Sequence, residues 1–327
     1  MPKKLISLFS TLTAIVLASF AYIKCVEKRS YRSFLYELLI RYTGVKAIMS
    51  RLIKKQDLLE QISQISKIPV PDVPYPFKSE MTMTYIENNK VFTLNDANEP
   101  TQPFIIYVHG GAWYEGPTPL HFNYVDTLAS LFDAKVIMPI YPRLPDADYR
   151  RTFSMLDTLY REILAHVAST EQITIMGDSA GGQISLSFAQ YLQTQSLSQP
   201  KHIVLLSPVL DASFSNPSAK HYEKRDPMLE IEGGKYLGKL WAGDLNINDY
   251  KVSPINGPLR HLGHITLCIG TRDLLYPDVE KLSNMLTTQG IAHNFIVHKH
   301  LFHDYQIFDI PEKADVLKKL RQIITIQ

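Results

Sequence analysis

Along most of the chain, short apolar runs alternate with stretches in which apolar positions recur every three or four residues. The runs at 104–108, 135–139, 172–177, 202–206, 265–270 and 293–297 are rich in Ile, Val, Leu and Met, the pattern of strands buried on both sides. The segments between them carry helical spacing, so the alternation predicts an α/β architecture: a mostly parallel central sheet with helices on both faces. Ahead of it, 81–86 and 90–94 flank Glu87-Asn88-Asn89 and predict a hairpin. The span from 212 to about 250 interrupts the alternation and reads as an insertion.

The N-terminal third follows a different pattern. Residues 5–23 are nineteen positions without a charge, preceded by Lys3 and Lys4 and followed by Lys24, Glu27, Lys28 and Arg29. That length spans a bilayer, so residues 1–30 are expected to be an uncleaved transmembrane anchor rather than a cleaved signal, for which Ser19-Phe20-Ala21 would be the processing site. The side on which the remainder lies stays open. Basic residues after the segment outnumber those before it, whereas the Lys-Lys start looks like an export signal.

From 31 to about 65, Leu35, Leu38, Tyr42, Val45, Met49 and Leu52 trace one face of an amphipathic helix, broken near Gly44. The opposite face carries Arg32, Arg41, Lys46, Arg51, Lys54 and Lys55, which suits anionic lipid headgroups beside the anchor. Four prolines between 69 and 76 mark an extended linker. The expected organisation is therefore 1–30 anchor, 31–76 basic helical segment and linker, and 77–327 α/β domain.

Chemistry enters at Gly177-Asp178-Ser179-Ala180-Gly181, where an apolar strand meets a helical pattern. A Gly-x-Ser-x-Gly turn of this kind lifts the serine hydroxyl above the sheet and aims the N-terminus of the next helix at developing negative charge. Upstream, the 104–108 strand runs into His109-Gly110-Gly111-Ala112-Trp113, whose small residues let backbone N–H groups approach a substrate oxygen. Gly110, Gly111 and Ala180 are the expected oxyanion donors. Downstream, Asp273 directly follows a strand, and His303 follows another, giving the order nucleophile, acid, base. Asp178, Asp278 and Asp304 are alternative acids.

These motifs resemble the hormone-sensitive-lipase-like carboxylesterases of the α/β-hydrolase superfamily. The resemblance runs from about Pro103 to the C-terminus. It rests on His109-Gly110-Gly111, Tyr141-Pro142-Arg143-Leu144, Gly177-Asp178-Ser179-Ala180-Gly181-Gly182, Ser207-Pro208-Val209-Leu210-Asp211, Asp273-Leu274-Leu275 and His303. Ala112 stands where many members have a third glycine, and Pro142 interrupts a Tyr-Arg pair. The resemblance implies an α/β-hydrolase fold with a helical cap, to which the 31–65 helix and the 212–250 insertion would contribute. Trp113, Tyr222, Met228 and Trp241 are then candidates for lining the substrate pocket.

The implied activity is a serine carboxylesterase cleaving small or lipid-like esters with short to medium acyl chains. An amidase or arylformamidase would use the same groups, and a catalytically idle hydrolase fold would be a binding protein. Composition excludes little else. Lys and Arg total 34 against 32 Asp and Glu, a net charge of +2 that gives no reason to expect nucleic acid. Cys25 and Cys268 are far apart and no disulfide is expected. His298, His300 and His303 are close in sequence, yet a zinc site wants further ligands, so no metal and no cofactor is expected.

Overall fold

The computed structural model describes residues 3–47, 49–50 and 57–326, with the backbone alone for 3–10, 12 and 326. Eight strands form one sheet: β1 Met81–Ile86, β2 Asn89–Leu94, β3 Phe104–Val108, β4 Lys135–Pro139, β5 Ile173–Asp178, β6 His202–Leu206, β7 His264–Gly270 and β8 His293–His298. Their spatial order is β1-β2-β4-β3-β5-β6-β7-β8. The strands from β3 onward run parallel. The hairpin β1–β2 adds antiparallel at one edge, its two turn residues Glu87 and Asn88 both left-handed, which matches the twist of a two-residue turn.

The α-helices are α1 Lys3–Tyr22, α2 Tyr31–Thr43, α3 Leu58–Ser66, α4 Pro119–Phe132, α5 Tyr149–His166, α6 Ser179–Thr194, α7 Ala219–Glu223, α8 Ile231–Ala242, α9 Tyr276–Thr288 and α10 Pro311–Ile326, with further helical residues at 45–47 and 49–50. Because strand side chains alternate between faces, β3 serves two cores. Ile106 and Val108 pack with Phe153 and Tyr160 of α5, Phe188 of α6 and Leu282 of α9. Ile105 and Tyr107 pack with Phe122 and Leu128 of α4 and Val316 and Leu320 of α10. The 212–250 insertion becomes α7, α8 and their loops.

The N-terminal segment departs from the expected anchor. Part of that anchor, residues 5–10 and 12, has side chains outside the described set. Among the described residues no helix is long and apolar enough to cross a membrane. The C-terminal end of the segment is instead committed to the protein. Helix α1 runs into a π-helical turn, Ile23–Glu27, whose Ile23 and Glu27 are buried. Phe20 packs on the Tyr31 ring, and Ser19 Oγ lies 3.0 Å from the Tyr31 hydroxyl.

The basic face of the following helix likewise turns onto protein rather than toward headgroups. Helix α2 is capped by the Ser30 hydroxyl at its start and by left-handed Gly44 at its end. Its Arg32 pairs with Asp309, and Arg41 bonds Glu37 and the Arg225 carbonyl. Lys46 donates to the carbonyls of Glu223 and Asp226. The Arg41 and Lys46 bonds hold the N-terminal segment against the end of α7 and the loop that follows it. Arg51, Leu52, Lys54 and Lys55 lie outside the described residues.

Candidate active site

Strand β5 lies in the middle of the sheet and delivers Ser179 at its C-terminal end, as the first residue of α6. Ser179 sits at φ +50°, a left-handed conformation that costs a non-glycine residue energy and is held by its surroundings. Gly181 provides much of that hold. A Cβ there would lie 2.0 Å from the Val108 carbonyl oxygen, so the turn packs directly onto the end of β3.

This packing sets the oxyanion candidates. Gly110 follows β3 so closely against the turn that a Cβ would lie 2.2 Å from Asp178 Oδ2. The backbone of Gly110 and Gly111 therefore runs beside the N-terminus of α6, where Ala180 is the second residue. Gly111, Ala112 and Trp113 all have positive φ, and the loop closes through bonds from Tyr114 N and Glu115 N to the Gly111 carbonyl. Behind it, Asp178 accepts from the Tyr107 hydroxyl at 2.6 Å and faces His121 Nε2 at 3.1 Å. Burial pushes the Asp178 carboxyl up, but the His121 charge and these hydrogen bonds outweigh it and hold it below the usual range.

The loops after β7 and β8 bring the other two groups to Ser179. His303 Nε2 is 2.9 Å from Ser179 Oγ, and His303 Nδ1 is 2.9 Å from Asp273 Oδ2. Asp273 is fully buried and also accepts from Leu275 N at 2.9 Å. Burial lowers the His303 pKa, but the adjacent carboxylates, Asp273 first and then Asp304, raise it well above the ordinary imidazole value. The alternative acids fall elsewhere. Asp278 accepts from Asn216, and Asp178 belongs to His121 and Tyr107, whereas Asp304 stands on the opposite side of the imidazole, 3.1 Å from Nε2. His298 is engaged by the Tyr305 hydroxyl and Asp315 and does not converge with His303.

Beside Ser179 lies a partly open cavity of about 80 Å³. Ala112, Trp113 and Val209 form one part of its wall, and Met49, Phe214, Met228 and Leu237 another. The four pocket candidates are thus separated. Trp113 and Met228 face the cavity; Trp241, on α8, stands behind Trp113 with ring centroids 6.0 Å apart. Tyr222, on α7, stacks on Tyr276 instead. Both are placed by aromatic packing, which takes their rings away from Ser179.

Two groups of site residues escaped the sequence reading. Asp226 is fully buried; it accepts from Met228 N and Leu229 N with one oxygen and from Leu274 N with the other. It thereby ties the cavity wall to the loop that carries Asp273. Burial and then the Asp273 charge push its carboxyl up to about 6. The second group is ionic. Arg272, next to Asp273, reaches Glu27 and Glu37 at 2.6 Å each, and the same carboxylates take Arg29 at 2.6 and 2.7 Å.

Comparison with known proteins places this geometry in context. A family described as alpha/beta hydrolase fold matches residues 105–307. An esterase of Acinetobacter venetianus is 25% identical over 224 residues, covering 68% of this chain and 74% of the relative. The solved structure of a candidate esterase from Staphylococcus aureus superposes with a TM-score of 0.76 at 26% identity, covering 82% of this chain and 90% of that one. An esterase from the bacterial hormone-sensitive lipase family does so at 0.71 with 20% identity, a likeness of fold that covers 81% of this chain and 89% of that one.

Proposed function

The chain belongs to the α/β-hydrolase fold family, and on that premise we propose that it is a serine ester hydrolase of the hormone-sensitive-lipase-like group, in which Ser179, His303 and Asp273 hydrolyse esters with short- to medium-length acyl chains. The observation that carries the assignment is the unbroken line of contacts from Ser179 Oγ to His303 Nε2 and from Nδ1 to Asp273, both 2.9 Å. Ser179 Oγ attacks the ester carbonyl while its proton passes to Nε2. The tetrahedral oxyanion is held by the N–H groups of Gly110, Gly111 and Ala180, single donors of this kind being worth about 3–4 kcal/mol each. Nε2–H then protonates the leaving alkoxide. Water, deprotonated by the freed imidazole, hydrolyses the acyl-enzyme and regenerates Ser179. The small cavity beside Ser179 supports a short acyl group.

The test is the Ser179→Ala variant. It is expected to lose fluorophosphonate labelling and to lower esterase kcat by several orders of magnitude, since only the oxyanion hole and substrate binding remain. Labelling that persists at another serine, Ser207 for instance, defeats the assignment. p-Nitrophenyl esters with acyl chains of two to sixteen carbons define the chain length. An aryl formamide turned over faster than any of them would favour amidase chemistry.

A further inference from the structure

The catalytic imidazole has a carboxylate on each nitrogen. Asp273 holds Nδ1, as the mechanism requires, but Asp304 Oδ2 lies 3.1 Å from Nε2, the nitrogen that exchanges the proton with Ser179. Asp304 is not a solvated neighbour that drifts in. It is buried at φ +54°, its N–H donates to Ser207 Oγ at 3.2 Å, and its second oxygen, Oδ1, is buried without a hydrogen-bond partner. A left-handed backbone is tolerated by aspartate better than by most residues, but a buried oxygen without a partner costs stability.

In the resting enzyme Nε2 accepts from Ser179 Oγ at 2.9 Å, and the Asp304 carboxylate 3.1 Å away favours the protonated form of the ring. When Ser179 attacks, its proton arrives on Nε2, and the resulting imidazolium faces a carboxylate on either side. We propose that Asp304 is a second acid for the catalytic histidine, its charge set beside Nε2 while Asp273 is hydrogen-bonded to Nδ1, and that it strengthens the base while raising the pH at which the enzyme becomes active. It is a positioning residue, acting through His303 on the serine. The proposal rests on the assignment of Ser179 and His303 as nucleophile and base.

The surroundings agree with this role. Asp304 faces His303, Asp178 at the end of β5 and Asp273 after β7, with Tyr107 on β3 and His121 on α4 also within its field. His303 additionally faces Asp226 from the loop between α7 and α8. Asp178 is already engaged by His121 and Tyr107, so it adds negative charge without competing for Nε2. Burial pushes the Asp304 carboxyl up to about 7, against the pull of His303.

The experiment is the pH profile of kcat/KM on p-nitrophenyl butyrate for the wild type, Asp304→Asn and Ser207→Ala. In the wild type the acidic limb is expected above the ordinary imidazole value of about 6.5. Asp304→Asn should move that limb down by about one pH unit or more, the size of a neighbouring charge's influence, and lower the alkaline plateau several-fold through the weaker base. A limb that stays in place in Asp304→Asn overturns the proposal. So does Ser207→Ala moving the limb equally far, which would assign the effect to loop geometry. Should Asp304→Asn fail to fold, the wild-type profile still decides, because a limb at or below about 6.5 leaves Asp304 no such influence. Fluorophosphonate labelling of Ser179→Ala reports separately: labelling there removes the underlying assignment, whatever the limb does.

Discussion

Arg272→Met tests whether the N-terminal segment is bound to the acid loop by charge. The wild-type guanidinium donates to Glu27 Oε1 and Glu37 Oε2, both at 2.6 Å. The two glutamate side chains are 8% and 6% exposed, and that of Arg272 is 21% exposed. Removing it leaves two buried carboxylates to Arg29, with Arg41 serving Glu37 from the rim. Breaking a buried pair costs about 3–5 kcal/mol because the stranded charge has no water, and the partial exposure of Arg272 favours the lower end, about 3 kcal/mol. An unfolding entropy of about 2.1 cal/mol/K per residue gives roughly 0.7 kcal/mol/K for this chain, so the melting temperature should fall by about 4–5 °C. Calorimetry or urea unfolding measures this. The decisive comparison adds Glu27→Gln and Glu37→Gln: with the carboxylates neutral, the same Arg272→Met change should cost at least about 1.5 kcal/mol less. A single-variant loss under about 1 kcal/mol, or no coupling, would mean that the cluster behaves like an exposed pair and the reasoning fails.

Two further outcomes follow from particular contacts. Gly181→Ala puts a methyl group 2.0 Å from the Val108 carbonyl, backbone against backbone, so esterase activity should fall at least about a hundredfold through displacement of the oxyanion loop, and near-normal kcat would refute the packing argument. His202 is 2% exposed, both ring nitrogens lack partners, and burial, then Lys201 and His264, lower its pKa to about 4. Because the unfolded imidazole titrates near 6.5, its neutral form stabilises the fold fully above that pH, and the contribution is lost as pH falls toward 4, about 2 kcal/mol after allowance for solvent at the ring edge. His202→Leu should therefore flatten the melting temperature between pH 7.5 and pH 4.5, and an unchanged slope would refute it.

The strands were legible because each is a buried apolar run bounded by turn residues, and Asp273, which directly follows one, is the acid that lies 2.9 Å from His303 Nδ1. Side-chain direction was not legible. Tyr222 and Met228 lie six positions apart in one insertion, yet one stacks on Tyr276 and the other faces the cavity. The charges of the N-terminal segment misled for a related reason. Arg41 and Lys46 look like a solvated basic stripe until the loop carrying Arg225 and Asp226 is laid against them. Glu27 and Glu37 find Arg272 across 245 and 235 residues, a separation at which no local pattern announces a partner.

The topology explains why such distant restraints are concentrated where they are. Ser179 leaves β5, which is hydrogen-bonded on both sides, by β3 and β6. His303 follows β8, the last strand of the sheet, which pairs with β7 alone. A catalytic contact must be held to within about 0.5 Å, and a loop beyond an edge strand receives that precision only from outside the sheet. The chain supplies it from its two ends. Arg272 N bonds the Leu301 carbonyl, joining the acid loop to the histidine loop. The same Arg272 side chain anchors Glu27 and Glu37, Ser30 bonds Glu312 at the start of α10, and Arg32 pairs with Asp309. The segment that reads as an anchor flank is, on this geometry, the brace that holds His303 in line with Ser179. Its loss should therefore lower kcat as well as the melting temperature.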